Sequence, residues 1–76
     1  MTVDRHLDLS GLVCPLPVLR TRKALKELQP GAVVEVVATD PASVKDMAAF
    51  CEATGHALLA SEAVGESFRF LIRRSA

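Results

Sequence analysis

Polar and apolar residues alternate at His6-Leu7-Asp8-Leu9, the period of a half-buried strand. A first strand is predicted from Leu7 to Val13, with Ser10-Gly11 marking a turn or bulge inside it. The period then lengthens. Val18, Thr21, Ala24, Leu25 and Leu28 fall on one stripe at helical spacing, which predicts a helix from Pro15 to Leu28 that Pro30-Gly31 ends. Residues 32–38 are rich in valine and read as an inner strand. Asp40-Pro41 opens a second helix, with Asp as N-cap and Pro as first helical residue. Val44, Met47, Ala48 and Cys51 form its apolar face, and Gly55 suits its C-cap. A third strand is expected over Ala57–Ala60 and a turn over Glu62–Glu66. In a fourth strand, Ser67–Arg73, Phe68, Phe70 and Ile72 alternate with Arg69, Leu71 and Arg73. The last two strands form a hairpin.

The order βαβαββ predicts an α+β fold. Its form is a two-layer α/β sandwich, in which a four-stranded mixed sheet carries both helices on one face and leaves the other partly exposed. All 76 residues are assigned to a single domain, small enough that its stability is limited. Half the residues are hydrophobic but only three are aromatic, all Phe, so aliphatic side chains must build the core. Without Trp or Tyr there is little for base stacking, and a formal net charge of zero argues against coating nucleic acid by bulk charge. No stable direct nucleic-acid binding is expected. No stretch approaches the ~20 apolar residues that cross a bilayer, and the polar first residues do not read as a signal peptide. A cytoplasmic, reducing location is therefore expected, with no membrane association and with the protein acting as a monomer. His6 and His56 are isolated, no Cys/His spacing suggests a metal site, and no Gly-rich phosphate loop is present, so neither metal nor cofactor is expected.

Candidate chemistry centres on Cys14-Pro15-Leu16-Pro17, where an extended segment turns into a helix. Prolines suit the first helical turn, and Pro15 and Pro17 build a rigid start there. Cys14 falls at or beside the N-cap, where the helix dipole favours an anion. A depressed thiol pKa and a nucleophilic sulfur are predicted on that ground. The competing reading is a buried structural cysteine. Arg20, Lys23, Lys26 and Glu27 project from the outer face of the first helix, together with Leu16 and Leu19. Charges alone would be a solvated face. Two outward leucines framed by cations beside a thiol suggest instead a docking patch of Leu16, Leu19, Arg20 and Lys23, whose positive charge would favour a thiolate. Cys51 lies on the apolar face of the second helix and reads as core, so a Cys14–Cys51 disulfide is not expected.

The chain resembles the TusA/SirA family of small sulfur-carrier proteins over nearly its whole length, from Leu7 to Arg74. The resemblance rests on Leu9-x-Gly11-Leu12-x-Cys14-Pro15-x-Pro17, Arg22-Lys23, Gln29-Pro30-Gly31, Asp40-Pro41-Ala42, Phe50-Cys51, Gly55-His56 and Leu71-Ile72-Arg73, in order. It implies a sandwich similar to the C-terminal domain of translation initiation factor three. It also implies a sulfurtransferase that acts as a carrier. Cys14 would accept persulfide sulfur from a donor such as a cysteine desulfurase or a rhodanese and relay it to a downstream acceptor protein. The best-known destination in the family is 2-thiolation of tRNA wobble uridine, whose members can carry Glu where this chain has Leu16. Other relatives serve molybdenum cofactor maturation or sulfane-sulfur metabolism. A different class of function, a regulatory or binding module with Cys14 as a redox-sensing switch, fits the same residues.

Overall fold

The computed structural model describes residues 2–75. The chain runs β1 (Arg5–Leu9), α1 (Leu16–Lys26), β2 (Val33–Ala38), α2 (Ala42–Thr54), β3 (Ala57–Val64) and β4 (Ser67–Arg73). The strands form one mixed sheet in the order β1-β2-β4-β3, with β1 parallel to β2 and the other two pairings antiparallel. The expected order, the inner position of β2 and the hairpin are all present. α1 packs on β2 and on α2, and α2 packs on β3 and β4, so both helices cover the same face.

The core follows from the alternation. Val34, Val36 and Ala38 of β2 stand opposite Ile72, Phe70 and Phe68 of β4 and point toward the helices. Leu25 of α1 and Met47 of α2 close over them. Burying side chains of this kind contributes about 1.5–3 kcal/mol each, the main favourable term in so small a domain. The opposite face is crossed by a row of charges. His6 Nδ1 lies 2.8 Å from Glu35 Oε1, Arg69 Nε donates to Glu35 Oε2 at 2.6 Å, and a second Arg69 nitrogen donates to Glu62 Oε1 at 2.9 Å. One residue from each strand thus joins the row.

Two strand boundaries and one helix face differ from expectation. β1 ends at Leu9 rather than running to Val13, because the Asp8 carboxylate accepts the Ser10 amide at 3.1 Å and its hydroxyl at 2.6 Å. Gly11 follows at φ 83°, and the chain leaves the sheet. β3 continues to Val64, well past Ala60, because the hairpin closes in two residues with Gly65 at φ 61°, which fits the first position of a type II′ turn. The buried face of α2 comprises Ser43, Met47, Phe50 and Cys51, while Val44 and Ala48 are exposed. The Ser43 hydroxyl donates to the Asp40 carbonyl at 2.6 Å, and this bond lets a polar residue occupy the inward position predicted for Val44. α1 lies inside the predicted Pro15–Leu28 span, with Pro15 as N-cap and Pro17 buried in its first turn.

Candidate functional site

β1 and β2 are parallel, and Leu9, the last residue of β1, pairs with Ala38, the last of β2. The two connections that follow therefore leave the sheet side by side. They are tied together by side chains of the second. Gly11 N–H donates to Thr39 Oγ1 at 2.8 Å, and Cys14 N–H donates to Asp40 Oδ2 at 2.7 Å. The other Asp40 oxygen, Oδ1, accepts the Ala42 amide at 3.0 Å, so one carboxylate serves the starts of both helices. Asp40 does so from one residue before the N-cap, which is Pro41. Leu16 N–H donates to Val13 O at 2.9 Å and closes a turn around Cys14-Pro15, whose peptide bond is cis.

Cys14 is exposed and immediately precedes the N-cap Pro15; Cys51 is buried in the core. The buried-structural reading thus applies to Cys51 and not to Cys14. Burial pushes the Cys51 thiol up, and nothing pairs the two sulfurs. Cys14 lines an open groove of about 370 Å³ between the helices. Pro15 and Val18 of the α1 side and Asp46, Ala49 and Phe50 of α2 complete its walls.

The electrostatics overturn the expectation of a depressed thiol pKa. The Asp46 carboxylate, which shares the groove with Cys14, pushes the thiol up, aided by desolvation and by the negative charge of Asp40. Cys14 precedes the N-cap Pro15, and no side chain caps the free amides of α1. The cations expected to favour a thiolate lie elsewhere. Arg20 and Lys23 line a separate groove of about 230 Å³ against β1, together with Arg5 and Glu27, which pair at 2.8 Å.

Leu16 and Leu19 are exposed as predicted, at 39% and 49%. Two further apolar residues join them that the sequence reading did not single out as surface: Val13 at 63% and Val44 at 38%. Asp46 also went unnoticed. Its signal was its spacing, three residues after Ser43 and four before Phe50, which sets a carboxylate at the edge of the buried stripe. The histidines are occupied away from the sulfur: His6 on the charged row, and His56 accepting the Ser75 amide at 3.0 Å with its ring 5.6 Å from Phe50. Among the described residues, no group of three or more His, Cys, Asp or Glu could hold a metal ion, and no helix is long and apolar enough to cross a membrane.

Residues 5–74 match the family model described as Sulfurtransferase TusA. The chain is 51% identical over 72 residues to Sulfur carrier protein TusA of Allochromatium vinosum, covering 95% of each. It is 44% identical over 68 residues to the Putative sulfur carrier protein YrkF of Bacillus subtilis, where it covers 90% of this chain and 37% of that longer protein. Among solved structures, the SirA-like protein of Desulfitobacterium hafniense superposes with a TM-score of 0.81 at 30% identity, over 95% of this chain and 99% of that one.

Proposed function

The chain belongs to the TusA family of sulfurtransferases and serves in sulfur transfer; from this premise we propose that Cys14 is the atom that carries the sulfur. One observation bears most of the weight: Cys14 is exposed on a tethered corner, while the other cysteine is buried in the core. In the first half-reaction Cys14 Sγ attacks the terminal sulfur of a donor persulfide. The donor's S–S bond breaks, a new S–S bond forms at Cys14, and the donor leaves as a thiol. In the second, an acceptor thiol attacks the outer sulfur of Cys14-S-SH and regenerates Cys14. Each step is thiol exchange with no net oxidation, so no redox partner is required.

The donor we propose is a cysteine desulfurase or a rhodanese-type protein, and the recipient a downstream acceptor protein in the cytoplasm. Wobble-uridine thiolation of tRNA is the proposed destination; molybdenum cofactor maturation and sulfane-sulfur metabolism would draw on the same chemistry. Docking falls to Leu16 and Leu19, with Arg20 and Lys23 steering an acidic partner. Val13, next to Cys14 in the chain, and Val44 in the first turn of α2 add exposed apolar surface. A redox-sensing role for Cys14 would use the same exposed thiol; the match to sulfur carriers favours the relay.

The test is intact-mass measurement after incubation with a cysteine desulfurase and cysteine. The wild-type protein and Cys51→Ala should each gain the mass of one sulfur atom, and Cys14→Ser should gain none. Sulfur retained by Cys14→Ser, or lost in a folded Cys51→Ala, would overturn the assignment.

A further inference from the structure

Between the helices, the groove that holds Cys14 has one charged lining residue, Asp46; its remaining walls are Pro15, Val18, Ala49 and Phe50. The two aspartates near the sulfur differ in what they are free to do. Both oxygens of Asp40 accept backbone amides, from Cys14 and Ala42. Asp46 forms no ion pair among the described residues, and from the body of α2 it lines the same groove as the thiol. Resting on the persulfide relay above, we propose that Asp46 is a catalytic residue of that transfer, accepting the Cys14 proton as the sulfur attacks and passing it to the departing thiolate.

The steps balance. The Cys14 thiol proton moves to the Asp46 carboxylate while Sγ bonds to the terminal sulfur of the donor persulfide. The donor's S–S bond breaks, and its sulfur leaves with the electron pair. Asp46 then protonates that thiolate. When the acceptor thiol attacks, the route repeats: its proton goes to Asp46 and on to Cys14 as Cys14 becomes the leaving group. One carboxylate beside the sulfur thus serves both directions of a relay. The need for such a group follows from the local charges. Asp40 and Asp46 are the charged groups acting on the thiol, both negative, so the resting sulfur keeps its proton and must give it up to react.

The experiment measures single-turnover transfer from a persulfidated desulfurase to the wild-type protein, Asp46→Asn and Asp46→Glu, beside iodoacetamide alkylation of the same three proteins at neutral pH. The two readouts should move in opposite directions. Asp46→Asn should slow sulfur transfer about a hundredfold, the scale of a lost general base. It should speed alkylation, since removing a negative charge lets the thiol ionise more readily. Asp46→Glu, which keeps the carboxylate, should recover part of the transfer rate and guards against a folding defect of the amide variant. Transfer to Asp46→Asn at or above the wild-type rate would overturn the proton role and leave the relay standing. No transfer to the wild-type protein would overturn the relay and the role of Asp46 with it.

Discussion

The two helix entrances are built alike and behave differently. Each follows a parallel strand, and each places a proline directly after the residue that decides its chemistry, Cys14-Pro15 at α1 and Asp40-Pro41 at α2. At α2 that residue reaches forward to the Ala42 amide and satisfies its own helix. At α1 the corresponding thiol caps nothing. It is held by its backbone, through the same Asp40, and its sulfur is left free. A helix start is therefore not sufficient to make a sulfur acidic. What the thiol experiences is set by the neighbouring entrance, which contributes Asp40 and, six residues further on, Asp46.

The comparison is broken hardest by Asp40→Ala, which removes the acceptor from both entrances. Loss of a group in this position should lower the unfolding free energy by about 1–2 kcal/mol, read from the urea midpoint. It should also speed alkylation of Cys14, because one of the two opposing charges is gone. Unchanged stability would show that the entrances are held independently. A finer probe is the pH dependence of alkylation. The carboxylates penalise the thiolate, so the half-maximal rate for Cys14 should lie at higher pH in the folded protein than in the urea-unfolded chain. A midpoint at lower pH would restore the helix dipole as the dominant influence. The smallest effect on the sulfur is expected from Arg20→Glu combined with Lys23→Glu, since these residues line the other groove. Alkylation should be unchanged while transfer from the donor slows several-fold, a loss that added salt should mask. A matching fall in alkylation would place the cations near the sulfur after all.

Residues 33–38 and 67–73 were legible because a strand with one covered face writes its period of two directly into the sequence. Cys14, Pro15 and Pro17 were legible for a similar reason, as neighbours in the chain that define a corner. Leu12 and Val13 misled because apolar residues extend a strand pattern even after Gly11 has turned the chain away. Val44 misled because hydrophobicity alone assigns it inward, whereas the bond from Ser43 to the Asp40 carbonyl exists only once the helix start has formed. The sign of the thiol shift was not legible at all. It depends on Asp40 and Asp46, which follow β2 and meet Cys14 only because β1 pairs with β2 in one register.

The row from His6 through Glu35 and Arg69 to Glu62 bears on how the sheet finds its alignment. A slip of β4 by one residue against β2 would turn Arg69 toward the helices and Phe70 toward water. The carboxylate of Glu35 would lose the guanidinium, and an unpaired charge would face an apolar layer that cannot solvate it. The row therefore works as a proofreading device for assembly. Strands far apart in sequence complete the row only in the native alignment, and a slipped pairing would carry the cost of an unpaired charge against the apolar layer.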